Sequence, residues 1–342
     1  MRLRQAAVRL RRADPSGPGY HRRRRGKGFS YTDEHGGPLA DPVALDRIRA
    51  LAIPPAWRDV WICPSPNGHI QAVGTDAAGR RQYRYHDVWR ARRDKAKFDH
   101  VLAVAERLPD LRSTVDDALR DRGPTKRRVL AAAVRLLDEG VFRIGSEEYE
   151  SSYGLATLRR DHAGVRGATI EFRYPAKGGV ERAVRVVDER LAALVRLLLR
   201  RPDDDNPDLL AYREGRSRWH DVRSADINEY LRSVTGCDIS AKDFRTWHAT
   251  VVGAVALAGP EALAARSPTA RRRAVSRAVR EVAEYLGNTP AVARASYVDP
   301  RVVDLYHDGT TIASALSTVD PDADPHTARD AAEHAVLDLL RY

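Results

Sequence analysis

The chain has 342 residues, long enough for two domains and at least one sizeable core. Its 58 lysines and arginines outnumber 47 acidic residues, for a net charge of +11; that balance favours a polyanionic partner, although a solvated basic surface has the same composition. Cys63 and Cys237 stand outside any Cys/His cluster, which speaks against zinc and for free thiols in a reducing cytoplasm, and neither a membrane-spanning apolar run nor a secretory apolar segment behind the Arg-rich N-terminus is present.

Residues 1–28 read as a basic lead-in, with Arg22, Arg23, Arg24 and Arg25 followed by Lys27. Like-charge blocks of this kind are usually mobile and often bind nucleic acid once ordered. Residues 29–90 predict a β-rich domain, with F-S-Y-T, D-V-W-I-C-P and H-I-Q-A-V-G-T-D as strands and H-G-G and P-N-G at the bends. A helix is expected within it, opened by Asp41 with Pro42 in its first position. G-R-R-Q-Y-R-Y-H-D then interleaves Tyr83 and Tyr85 with Arg80, Arg81 and Arg84. Strand alternation would put both tyrosines on one face and arginines on the other. Aromatics amid arginines suit contacts with a duplex; an exposed strand with an aromatic core face would leave the same pattern.

Residues 91–342 read as mostly helical. V-W-R-A-R-R-D-K-A-K-F-D-H is a charged helix at the domain junction, and V-L-A-V-A-E-R-L-P ends at a proline. T-K-R-R-V-L-A-A-A-V-R-L-L-D-E-G-V-F-R repeats apolar residues at helical spacing up to a C-terminal glycine. A-T-I-E-F-R-Y-P-A-K-G-G-V-E-R-A-V-R-V-V predicts a β-hairpin turning at A-K-G-G, after which helices resume at Glu189. Flanked by prolines, D-D-D at 203–205 reads as an exposed linker rather than a metal cluster. No P-loop, dinucleotide fingerprint, H-E-x-x-H or EF-hand loop occurs. The expected fold class is α+β: a small, mainly antiparallel β-sheet domain, then a larger, mostly α-helical domain carrying a β-hairpin.

Chemistry could reside in the second part. Tyr297, in L-G-N-T-P-A-V-A-R-A-S-Y-V-D-P, follows Asn288 by nine residues. Upstream stand Arg143 in F-R-I-G, Lys177 in Y-P-A-K-G-G and Arg245 in A-K-D-F-R-T-W. A phenol, with a reference pKa of about 10, is a weak nucleophile until its charge is stabilised. Arginine suits both a phenolate and a phosphate, because it stays protonated and forks onto two oxygens. A lysine held out on a hairpin can reach a bound duplex and protonate a departing oxygen. A tyrosine, two arginines, a lysine and one further hydrogen-bond donor form a metal-free set for attacking a phosphodiester. Each also has an ordinary role: a half-buried tyrosine, a solubilising turn lysine, a helix-dipole cap at Arg143 and a surface arginine at 245.

Taken together and in order, these motifs resemble the type IB DNA topoisomerases, especially the compact poxvirus and bacterial members, from about Phe29 to about Tyr306. I-P-P-A-W-R-D-V and V-G-T-D-A-A-G-R-R-Q-Y-R-Y look like that family's first domain. F-R-I-G-S-E-E-Y, Y-G-L-A-T-L, A-K-D-F-R-T-W and L-G-N-T-P-A-V-A-R-A-S-Y look like its catalytic domain. The resemblance implies Tyr297 as a nucleophile forming a 3′-phosphotyrosyl bond, Arg143 and Arg245 on the scissile phosphate, and Lys177 as general acid for the 5′-hydroxyl. It implies DNA contacts by Arg80, Tyr83, Tyr85, Tyr149 and Lys242, and a monomer that clamps double-stranded DNA near the nucleoid, without ATP, metal or other cofactor.

The chain departs from the family pattern in three places. Asn288 stands where histidine is usual; its amide can still donate a hydrogen bond but carries no charge. Ser146 replaces a lysine, and glycines follow Lys177 in place of an acidic residue. Two other readings compete. A tyrosine recombinase or integrase uses similar residues, but usually with H-x-x-R where this chain has Lys242 three residues before Arg245. A non-catalytic basic DNA-packaging protein would account for the charge alone.

Overall fold

The computed structural model describes residues 8–145, 152–202, 207–215, 218–320 and 322–341. The chain separates into two compact units, residues 1–99 and 100–342.

The first unit is built on β1 (Tyr20–Arg25), β2 (Gly28–Thr32), helix α1 (Pro42–Ala50), β3 (Arg58–Ile62), β4 (Ile70–Thr75) and β5 (Arg81–Tyr85). The strands form one antiparallel sheet in the order β2-β1-β3-β4-β5. Alternation drives apolar side chains to both faces: Val60, Ile62 and Ala72 pack with Ile48 of α1, while Trp61, Cys63 and Val73 cluster separately, joined by Ile70 across the register shift between Ile70 and Ala72. Asp41 caps α1 by accepting the Val43 N–H at 2.9 Å, with Pro42 in the first turn, as the sequence predicts.

The Arg22–Arg25 run is not a lead-in. It lies within β1, between β2 and β3. Arg22 stacks over the Phe29 ring at 4.2 Å and donates to the carbonyls of Ile53, Pro54 and Trp57 at 3.1, 3.0 and 2.8 Å. Those bonds pin the I-P-P-A-W loop, whereas Arg23, Arg24 and Arg25 are exposed.

Helix α2 (Asp87–Ala105) begins in the first unit and ends in the second. There follow α3 (Leu108–Leu119) and α4 (Lys126–Gly140), the latter capped by Thr125. α4 ends on the predicted glycine, Gly140, but that glycine is not the left-handed residue. Val141 takes the left-handed conformation, φ 53°, while Gly140 stays helical. A Cβ at Gly140 would lie 2.2 Å from the Phe142 ring, so close packing rather than backbone freedom explains this glycine.

β6 (Ala163–Arg166), β7 (Thr169–Pro175) and β8 (Glu181–Val187) form a second antiparallel sheet. The β7–β8 turn falls where A-K-G-G predicts it: the Ala176 N–H bonds to Val180 O at 2.9 Å, and Gly178 and Gly179 take φ of 87° and 73°. After α5 (Glu189–Leu199), the unpredicted strands β9 (Ala211–Glu214) and β10 (Arg218–Asp221) pair antiparallel. They are four residues each and heavily charged, so no apolar alternation marks them.

Helices complete the unit: α6 (Ser224–Thr235), α7 (Ala241–Ala258), α8 (Pro260–Leu263), α9 (Pro268–Leu286), α10 (Pro290–Ser296), α11 (Pro300–Asp308), α12 (Ala313–Leu316) and α13 (Pro325–Arg341). One continuous core joins them, with Phe142, Phe172, Phe244 and Trp247 among its fully buried side chains. The last helix contributes Ala332, Val336 and Leu340 to that core. Among the described residues no helix is long and apolar enough to cross a membrane.

Candidate active site

Arg143, Lys177, Lys242, Arg245 and Tyr297 line one cleft of about 260 Å³ in the second unit, together with Tyr153 and Ser152. These side chains come from segments far apart in sequence, so each is held in its own way.

Arg245 is the most enclosed, only 3% exposed on α7. A buried guanidinium needs acceptors to offset its lost hydration. Arg245 finds them at two helix ends, donating to Val141 O at 2.5 Å after α4 and to Leu286 O at 2.9 Å in the last turn of α9. Terminal carbonyls are the orphan, negative ends of a helix, well suited to a cation. Burial, reinforced by the charge of Arg143, pulls the Arg245 pKa down to about 10, so it stays charged at neutral pH. Its Nε has no hydrogen-bond partner among the described residues.

Arg143 sits in the extended stretch after α4. Its carbonyl accepts the Leu155 N–H at 2.8 Å, and the Ile144 carbonyl accepts from Ala156 at 2.7 Å. Gly154 permits this approach, because a Cβ there would lie 2.4 Å from the Gly145 nitrogen. The Arg143 Nη2 donates to the Asn288 Oδ1. Since arginine can only donate, the amide must turn its oxygen to Arg143 and its NH₂ away. That Nδ2 is buried and has no partner among the described residues. Asn288 follows Gly287, whose φ of 61° ends α9.

Tyr297 caps the C-terminus of α10, with its N–H bonded to Ala293 O at 3.0 Å and its carbonyl 3.3 Å from the Thr250 Oγ1 of α7. The residue is 8% exposed, and the Arg245 guanidinium carbon lies 5.5 Å from its ring centroid. Burial alone would raise the phenol pKa. The charges of Arg245, Arg143 and Lys242 outweigh that and hold it below the usual tyrosine range.

Lys177 is exposed at the β7–β8 tip and Lys242 is exposed in the first turn of α7. The hairpin is tied down by Arg182 of β8, which donates to Tyr285 O at 3.1 Å near the end of α9. Its guanidinium fills the space beside Gly287, where a Cβ would lie 2.1 Å from Arg182 Nη1. Sequence reasoning missed Arg182, Tyr153 and Thr250. Arg182 looks like any polar position of an alternating strand, and only its contact with a distant carbonyl sets it apart.

Other predicted positions lie elsewhere. Tyr149 and Ser146 fall outside the described residues. Arg80, Tyr83 and Tyr85 belong to the first unit and are no part of the cleft. Arg80 pairs with Asp76 at 2.9 Å while staying largely exposed. Tyr83 and Tyr85 are 41% and 36% exposed and stack at 5.9 Å, so they form a surface aromatic pair and not a core face. Arg81 shares their face, contrary to the expected segregation, with its guanidinium 5.7 Å from the Tyr83 ring. Asp203, Asp204 and Asp205 lie outside the described residues, and among those described no cluster of metal-ligating side chains occurs.

The chain is similar to known proteins along most of its length. Residues 86–312 match the family described as eukaryotic DNA topoisomerase I, catalytic core. Residues 28–76 match the N-terminal domain of bacterial DNA topoisomerase IB. The chain is also similar to DNA topoisomerase 1B of Acanthamoeba polyphaga mimivirus, at 28% identity over 84% of this chain and 87% of the relative.

Proposed function

Because this chain belongs to the type IB DNA topoisomerase family, we propose that it relaxes supercoiled double-stranded DNA by transient cleavage of one strand through Tyr297. The observation that carries this reading is the convergence of Arg143, Lys177, Lys242, Arg245 and Tyr297 on one cleft. A phenol held below its usual pKa beside a buried arginine is an activated oxygen nucleophile next to a phosphate-binding cation.

In the proposed reaction the Tyr297 oxygen attacks the scissile phosphorus as its proton is lost to solvent. The new bond is P–O(tyrosyl), the broken bond is P–O5′, and the product is a 3′-phosphotyrosyl ester. Lys177 gives its proton to the leaving 5′-oxygen, a contribution of about 10²–10⁴-fold for general acid catalysis. Arg245, Arg143 and the Asn288 amide donate to the non-bridging oxygens, where charge builds in the transition state. A preorganised donor of this kind contributes about 10²–10³-fold. Among the described residues the Asn288 Nδ2 and the Arg245 Nε have no hydrogen-bond partner, so both are open to such a contact. Lys242 in the second unit and Arg80, Tyr83 and Tyr85 in the first would contact the duplex, with Tyr149 as a further contact.

One ester is exchanged for another of similar energy, so no ATP is required, and the charges of Arg143, Arg245 and Lys177 do the work of a metal. Torsional strain turns the free 5′ end about the intact strand, and reverse attack reseals the nick. A monomer suffices, since every proposed catalytic group lies in one chain. The test is relaxation of negatively supercoiled plasmid in EDTA without ATP, beside Tyr297→Phe. Relaxation by the wild type alone is expected; relaxation by the variant, or by neither protein, would refute the reading.

A further inference from the structure

The second unit holds another polar assembly, none of whose members lines the cleft. Asp138, on α4, has a side chain only 4% exposed. It accepts from Arg112 Nε at 2.8 Å and Nη2 at 3.0 Å, and lies 3.1 Å from His248 Nε2. His248 Nδ1 is 3.3 Å from the Tyr285 hydroxyl. Arg112 turns its other edge to α13, donating to Glu333 at 2.7 and 2.9 Å and to Asp330 at 3.2 Å. Arg329, also of α13, stands 3.6 Å from Asp138.

The protonation pattern is self-consistent. Burial would raise the Asp138 pKa, but His248 and Arg112 outweigh it and keep the carboxylate ionised. An ionised acceptor at Asp138 calls for a ring proton on Nε2 of His248, and Nδ1 lies within hydrogen-bond distance of the Tyr285 hydroxyl. Tyr285 is 37% exposed as a residue, but the packing around its hydroxyl, with the Asp138 charge, raises its pKa to about 12, so it stays protonated at neutral pH. Glu333, Arg112, Asp138, His248 and Tyr285 thus form one hydrogen-bonded chain from the C-terminal helix to the end of α9.

The positions of these residues matter more than the chain itself. Asp138 precedes Val141, whose carbonyl holds Arg245, by three residues on the same segment that continues to Arg143. His248 follows Arg245 by three residues on α7. Tyr285 adjoins Leu286, whose carbonyl also holds Arg245, and precedes Asn288 by three. The chain therefore joins the same three elements, α4, α7 and α9, that Arg245 joins from within the cleft.

We propose that Asp138, His248 and Tyr285, anchored to α13 through Arg112 and Glu333, are positioning residues that set the mutual placement of Arg143, Arg245 and Asn288. The C-terminal helix thereby controls the rate of strand transfer without touching DNA. This rests on the proposed topoisomerase chemistry. Coupling through packed, hydrogen-bonded elements of this kind changes rates when their relative positions shift.

The test measures single-turnover formation of the covalent protein–DNA adduct, with rate constant and amplitude read separately, alongside DNA affinity. The full-length variants are His248→Ala, His248→Gln, Tyr285→Phe and Glu333→Gln. A merely destabilising change lowers the amplitude, the folded fraction, at an unchanged rate constant. Positioning lowers the rate constant at preserved affinity. His248→Ala is expected to slow adduct formation by about 10- to 100-fold, since small misplacements of catalytic groups have effects of that order. His248→Gln, which keeps a donor for Asp138, should recover part of the loss. Tyr285→Phe and Glu333→Gln, mild enough to fold, should slow it by about threefold or more. Rate constants within about twofold of wild type for the two mild variants would overturn the relay, since coupling of the stated size exceeds that limit. A wild type that forms no adduct would instead sink the topoisomerase reading itself, and the relay with it.

Discussion

Arg245 and Lys177 face the same cleft from opposite extremes of burial. Arg245 is fixed in the core by the carbonyl ends of two helices, and its seat is part of the fold. Lys177 stands on a hairpin tip where two left-handed glycines follow it, and nothing in the core depends on it. The difference separates two tasks. Charge stabilisation in a transition state works best with a donor that cannot reorganise. Proton delivery to a leaving group that swings away with a rotating strand suits a flexible donor at the rim. Removing one should therefore damage fold and chemistry together, and removing the other should damage chemistry alone.

The sharpest break of this contrast is Arg245→Ala. It leaves two buried carbonyls unpaired and should destabilise the protein by about 3–5 kcal/mol, with adduct formation slowed by about 10³-fold or more. Chemical denaturation read against single-turnover cleavage would check both halves. Lys177→Ala should slow cleavage by about 10²-fold with an unchanged denaturation midpoint. A DNA whose leaving 5′-oxygen is replaced by sulfur, a better leaving group, should largely erase that defect; failure of the rescue would remove Lys177 as the acid.

Asn288 lies between these extremes. Asn288→Ala deletes a single uncharged donor and should cost about tenfold in rate, less than an oxyanion-hole donor usually contributes. Asn288→Asp keeps an acceptor for Arg143 but sets an anion against the phosphate, and should be worse, as a comparison of the two single-turnover rates would reveal. Lys242→Ala tests the electrostatics of the nucleophile. Lys242 helps to lower the Tyr297 pKa against the opposing effect of burial, so its loss should raise the pH at which the cleavage rate levels off. An inflection that moves downward, or stays fixed, would contradict that assignment.

The smallest effects should come from the first unit, within one run of arginines. Arg22→Ala removes three carbonyl contacts beneath the I-P-P-A-W loop and should lower the stability of the sheet. Arg24→Ala, exposed on the same strand, should leave stability unchanged. If Arg24 meets a DNA phosphate, its loss reduces the log–log salt slope of binding by about 0.9, which a salt titration of affinity would detect.

The sequence made legible whatever depends on neighbours along the chain. Asp41 and Pro42 announce a helix start, and A-K-G-G announces a turn, because capping and positive φ are local demands. The α+β class and most of the cleft were readable for the same reason, as ordered short motifs. Partnerships between distant backbone atoms were not. Arg22 reads as one of four like charges until the carbonyls of Ile53, Pro54 and Trp57 surround it. Arg182 and the Asp138–His248 pair owe their roles to partners more than a hundred residues away in sequence.

The most direct test of strand transfer through Tyr297 is the polarity and site of the covalent bond. A duplex carrying a label at the 5′ end of one strand is incubated with the protein in EDTA and quenched with detergent. The label should migrate with protein, the released fragment should bear a 5′-hydroxyl, and peptide mapping should find the attached nucleotide on Tyr297. A label that stays free, a 5′-linked adduct, or attachment at another residue would contradict it.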